Sequence, residues 1–173
     1  YHPDFNVKHR YGTTPTGPGE YRDSNTPLAR PKDAATLIVV RDGIHPRILM
    51  GKRASSHRFM PNKFVFPGGR LDFIDQRLRV RGELHSAVLT RLRKATRQEV
   101  TDRKLRGLAL AAIRETFEET GLIIGRETPA RCATRHPIWL QYFRHDVEPP
   151  LESIDFIARA ITPAYRTRRF DTR

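Results

Sequence analysis

Arg114-Glu115-Thr116-Phe117-Glu118-Glu119-Thr120-Gly121-Leu122 is the stretch on which the fold turns. Set on a helix, Glu115, Glu118 and Glu119 stand at i, i+3 and i+4, so three carboxylates share one face. Like charges so placed repel by about 0.2–0.5 kcal/mol per pair, a cost that a cation among them removes. All-oxygen ligands suit a hard ion, Mg²⁺ or Mn²⁺. Arg114 lies four residues before Glu118, within reach to orient the carboxylates. Taken alone, three such glutamates read better as a solvated acidic patch; the residues around them decide otherwise.

Working outward, the apolar residues Leu105, Leu108, Ala109, Ala112, Ile113 and Phe117 recur at helical spacing, which predicts a helix over 103–120. Gly121 supplies a left-handed stop. An earlier periodic run, Leu84, Val88, Leu89, Leu92 and Ala95, predicts a helix over 84–98. Ala34–Arg41 has the length and composition of a strand buried on both faces, Asp42-Gly43 signals a turn, and Arg47–Arg53 is the returning strand. Phe64–Phe66 forms a third short strand, stopped at Pro67 and Gly68-Gly69. Leu122–Ile124, Ile157–Thr162 and Arg169–Arg173 complete the predicted strands, the last two joined by a turn at Pro163. Trp139 and Phe143 fall in a short amphipathic piece; Trp139 reads better as a core residue than as a platform for an adenine.

Arg114-Glu-Thr-Phe-Glu-Glu-Thr-Gly-Leu122 resembles the second half of the Nudix box, and Phe66-Pro-Gly-Gly-Arg-Leu-Asp72 resembles the strand and turn that open it. Asp75 holds the place where that family carries a glutamate, and Thr116 replaces its usual aliphatic residue. Between Asp75 and Arg114 lie 38 residues, against seven in the family, so a helical insertion over 76–108 splits the motif. Closing a longer loop costs little entropy, so the two halves can still meet. The split box, Ile161-Thr-Pro163 and Arg168-Arg-Phe-Asp-Thr172 are similar to the branch of the superfamily that includes peroxisomal coenzyme A diphosphatases.

The resemblance implies an α/β/α sandwich with a mixed sheet, covering residues 34–173, with further C-terminal strands missing from this sequence. It implies hydrolysis of a diphosphate linkage in a nucleotide-derived substrate, coenzyme A or acyl-CoA by preference, with ADP-ribose, dinucleotides and capped RNA as alternatives. Glu118, Glu119 and the Gly69 carbonyl match the family's metal ligands. Glu115 matches a base or further ligand, and Arg114 matches the arginine that orients the glutamates. The competing functions are a basic nucleic-acid-binding module and a catalytically silent sensor of the same fold.

Composition sets the remaining bounds. The 173 residues carry a formal charge of +13, supplied mostly by arginine, whose planar guanidinium suits bidentate contact with phosphate. The charge serves either an anionic partner or solubility alone, since the cations are scattered. Arg53, Arg58 and Arg70 flank the opening of the box and are candidate phosphate contacts, though each reads better as a surface arginine. Residues 1–33, rich in proline and glycine, read as an extended arm able to wrap a partner subunit in a homodimer. Cys132 is the single cysteine, so no internal disulfide forms and a reducing cytoplasm is the expected home. No apolar run is long enough to span a membrane. The sequence opens at Tyr1 rather than methionine and shows no targeting segment.

Overall fold

This computed structural model describes Arg22, Asn25 and residues 27–56, 61–96, 99–129 and 133–173. Its centre is a four-stranded mixed sheet in the order β6-β1-β10-β9. Strand β1 (Lys32–Thr36) is the hub. It runs antiparallel to β6 (Gly68–Arg70) in the register Ala34–Arg70, Ala35–Gly69, Thr36–Gly68. On its other edge it runs parallel to β10 (Phe170–Thr172), which pairs antiparallel with β9 (Ala160–Ile161). Among the described residues three two-stranded ribbons surround the sheet: β2 (Val40–Arg41) with β3 (Arg47–Ile48), β4 (Gly51–Lys52) with β5 (Phe64–Val65), and β7 (Arg126–Glu127) with β8 (Val147–Glu148).

Among the described residues four α-helices accompany the strands. They are α1 (Phe73–Arg77), α2 (Ser86–Lys94), α3 (Asp102–Thr120) and α4 (Pro137–Phe143). The long α3 lies on β6 and β1 and also packs against α1, α2 and α4, so it forms the axis of the core. Thr101 caps its start by accepting from the Lys104 N–H at 3.3 Å. Gly121 ends it with φ 70°, a left-handed conformation that a Cβ would strain. The arrangement is a Nudix-like α/β/α sandwich built on a mixed sheet.

Several sequence expectations need correction. The strand expected over Ala34–Arg41 is not buried on both faces: Ala34 and Ala35 are buried, whereas Ile38 and Val40 are exposed. Ordered pairing with β6 and β10 ends at Thr36, and the chain then passes into the β2–β3 ribbon, away from α3. Leu122–Ile124 forms no strand; the ordered ribbon begins two residues later, at Arg126, opposite Glu148. The apolar side of α3 is also wider than its periodicity indicated. Leu110 and Ala111 are fully buried beside the expected residues, because sheet and helices enclose the helix on several sides.

The C-terminal hairpin over residues 157–173 is present in shorter form as β9 and β10. Trp139 is fully buried on α4, stacked on Phe143 and edge-on to Tyr142, and so it is a core residue. Most of the proposed N-terminal arm, together with Arg58, Gln98 and Cys132, lies outside the described residues. Where the arm is described, the Arg22 N–H donates to the Tyr165 carbonyl and the Ala29 carbonyl accepts from Arg169.

Candidate active site

The two separated motif segments meet where the C-terminal half of α3 crosses β6. The Gly68 N–H donates to Glu119 Oε2 at 3.1 Å, across 51 positions of sequence. Gly69 faces the Glu115 carboxyl so closely that a Cβ at position 69 would overlap it. Glycine is required here because only a bare backbone lets the helix approach the strand this far. The intervening residues 76–108 comprise the end of α1, all of α2 and the first turns of α3.

Arg114 ties these pieces together from a side chain that is almost wholly buried. Its Nε and Nη2 donate to the two carboxylate oxygens of Asp75, each at 2.9 Å. Nη2 also donates to the Arg70 carbonyl at 2.9 Å, and Nη1 donates to Glu115 at 2.9 Å and to Glu118 at 3.4 Å. One guanidinium therefore links β6, α1 and the carboxylate face of α3, as its fixed fork of donors allows. Burial works against the cation, but the hydrogen bonds and charge of Asp75, then of Glu115, hold it above its ordinary pKa.

Asp75 is fully buried and completely satisfied. Besides Arg114 it accepts from Trp139 Nε1 at 3.1 Å and from the Asp72 N–H at 3.0 Å. The family's glutamate position is thus a structural anchor in this chain. Sequence reading identified Asp75 and Arg114 but missed Trp139 as their partner. Trp139 stands 64 positions from Asp75, and no local pattern links the two.

The three glutamates grade from inside to outside. Glu115 is largely buried, while Glu118 and Glu119 are exposed. Burial pushes the Glu115 carboxyl above its usual range; Arg114 opposes this, and the charges of Glu118 and Glu119 add to it. That mutual repulsion is what a bound cation relieves. Among the described residues no three His, Cys, Asp or Glu side chains are drawn into a set that could hold a metal ion as they stand. The donor chemistry nevertheless fits a hard divalent ion. All the donor atoms are carboxylate oxygens, and each glutamate engages Arg114 or Gly68 through only one of its two.

The candidate phosphate contacts sort differently. Arg70 is exposed on β6 and its carbonyl is part of the Arg114 network. Arg53 sits at the end of the β4–β5 ribbon, its N–H bonded to the Lys63 carbonyl. Arg58 falls outside the described residues.

No family model matches the chain. A search of curated proteins likewise finds no match. Among solved structures, a NUDIX hydrolase from Alicyclobacillus acidocaldarius is similar at 26% sequence identity with a TM-score of 0.58, the match covering 84% of this chain and 68% of that one. Among the described residues no helix is long and apolar enough to cross a membrane. The fold and this similarity support a relationship to the broad Nudix superfamily.

Proposed function

We propose that this chain hydrolyses a diphosphate linkage in a nucleotide-derived small molecule with Mg²⁺ or Mn²⁺ held at the carboxylate face of α3. The observation that carries the reading is the junction of Gly68 and Gly69 with Glu119 and Glu115, which reunites two motif halves split by the insertion. Glu118, Glu119 and the Gly69 carbonyl would hold the ion, and Glu115 would assist as further ligand or base. Such an ion neutralises phosphate oxygens, orients water and lowers its pKa. Burial and neighbouring anions raise the proton affinity of Glu115, which favours its taking a proton from water. Arg114 positions Glu115 and Glu118 while being held by Asp75. Resemblance to the split-box branch makes coenzyme A or acyl-CoA the favoured substrate.

The test pairs a substrate panel with melting curves. Coenzyme A, acetyl-CoA, ADP-ribose, a dinucleoside polyphosphate and capped RNA are each incubated with the protein and Mg²⁺ or Mn²⁺. Hydrolysis of the CoA compounds is expected, Glu118→Gln should nearly abolish it, and the stabilisation of the wild type by Mn²⁺ should shrink in that variant. Cleavage of another panel member alone would reassign the substrate. Full turnover by Glu118→Gln with an unchanged Mn²⁺ shift would reduce the glutamates to a solvated patch.

A further inference from the structure

A cavity of about 720 Å³ opens on the insertion, lined by Gln76, Leu78, Val80 and four arginines, Arg77, Arg79, Arg103 and Arg106. Among the described residues Glu83 is the single acid of the lining. The volume lies within the range of small-molecule sites, roughly 300–1,000 Å³. Four cations against one anion make it a place for a negatively charged ligand.

The cavity is built, with its rim held in place. Arg106 donates from Nη1 to the Leu78 carbonyl at 2.6 Å and from Nη2 to the Val80 carbonyl at 3.3 Å, which pins the segment after α1 against α3. Its Nε lies 3.1 Å from Glu83 Oε2, yet this buried atom makes no hydrogen bond. Arg77 lies with its guanidinium 4.3 Å over the Phe73 ring, a contact that holds the side chain without consuming its donors. Arg103, in the first turn of α3, is exposed and forms no ion pair among the described residues. The acid beside it in sequence, Asp102, is already paired with Arg93. The N-terminal end of a 19-residue helix adds its own partial positive charge.

This site is separate from the candidate active site. Arg103 and Glu115 are twelve residues apart on α3, about 18 Å along the axis at helical rise. A single diphosphate cannot touch both.

We propose that the insertion carries a second ligand site, in which Arg77 and Arg103, with the rim held by Arg106, bind the phosphate or diphosphate group of a small molecule. Arg77 and Arg103 present planar donor forks suited to phosphate oxygens. Leu78 and Val80 supply an apolar wall for the uncharged part of such a ligand. The site goes beyond the proposed hydrolysis and does not depend on it.

Calorimetric titration with pyrophosphate and with ADP, without divalent metal, tests the proposal on the whole chain. Both should bind the wild type, and Arg77→Glu with Arg103→Glu should weaken binding about tenfold or more. Glu118→Gln, at the other end of α3, should leave this binding unchanged. Pyrophosphate binding alone would assign the site to the bare anion, and tighter ADP binding would assign it to a nucleotide. Arg103→Gln, which removes no ion pair, carries the comparison if the double variant does not fold, and Arg103→Lys should retain part of the affinity. Equal binding by wild type and the arginine variants would overturn the proposal. So would a short single-stranded RNA binding where neither small phosphate does, since the groove would then serve a polymer.

Discussion

Asp75 shows how much one residue can hold. Its two oxygens accept from two nitrogens of Arg114, from the indole of Trp139 and from the Asp72 N–H, all in the interior. Removing one partner of a buried ion pair leaves the other charge uncompensated, which costs about 3–5 kcal/mol. Arg114 keeps Glu115 and Glu118 as counter-charges, so Asp75→Asn should destabilise the fold by up to that amount, measured by urea denaturation, and should loosen Glu115 and Glu118 through Arg114. Trp139→Phe keeps the ring stacking but leaves the Asp75 oxygen one donor short. The cost of one hydrogen bond is about 1 kcal/mol, so Asp75→Asn should be clearly the more severe of the two. Equal losses would mean that the charge of Asp75 contributes nothing. At this scale the sequence was informative where the motif residues are adjacent, as in Arg114-Glu115 and Glu118-Glu119. It placed Trp139 in the core but was silent on its bond to Asp75, because a contact between residues 64 positions apart leaves no local periodicity.

At the scale of elements, α1 and α3 pack with unusual intimacy. A Cβ at Gly107 would come within 2.8 Å of Gln76 Cγ and 3.1 Å of the Gln76 Cα, so backbone as well as side chain would have to move. Overpacking of this kind costs about 1–3 kcal/mol. Gly107→Ala should lower stability by that amount even though alanine favours the helix, and a neutral or stabilising result in thermal melts would show that α1 yields freely. The same change displaces Gln76, the neighbour of Asp75, so a drop in activity is expected alongside. Helix α3 was legible because its periodicity and its Gly121 stop are local, while the Thr101 cap at its start emerged only from the structure. The strands were legible only as apolar runs. Their lengths follow from which partner lies alongside, and so β1 stops at Thr36 where pairing with β6 and β10 ends.

Across the whole molecule, polar contacts tie α2 and α3 to the sheet. Lys104 of α3 lies 2.6 Å from Asp33 of β1, and Arg173 lies 2.9 Å from the same carboxylate. Asp171 of β10 accepts from Arg159 Nε and Nη2, each at 2.6 Å, and Arg159 also donates to the Ala95 carbonyl at the end of α2. Burial alone would raise the Asp171 carboxyl, but the Arg159 bonds and the charges of Arg173, Arg159 and Lys104 bring it below its ordinary value. A depressed folded pKa contributes stability that is full above the ordinary carboxylate value and fades as pH falls through the folded one. Acid melting curves should therefore show the wild type losing stability below about pH 4, with Asp171→Asn less stable at neutral pH and less sensitive in that acid window. Parallel curves for the two proteins would remove Asp171 from the acid response.

By itself the sequence determined the long helix, its glycine stop and the trio of glutamates on one face; Gly68 and Gly69, read as the stop of the preceding strand, instead form strand β6 beside β1. The first three depend on spacing within a few residues, where helical geometry and glycine's missing side chain leave little choice. It also supported the mixed α/β/α fold through the resemblance of two short segments. Only the tertiary structure decided that Gly68 and Gly69 meet Glu119 and Glu115 across the insertion, and that Asp75 and Trp139 jointly hold Arg114. It likewise brought Arg77 and Arg103 to one cavity from different helices. The reason is physical: loop closure is nearly indifferent to the length of the intervening chain. Contacts between distant segments are selected by packing of the whole core, which no local pattern records.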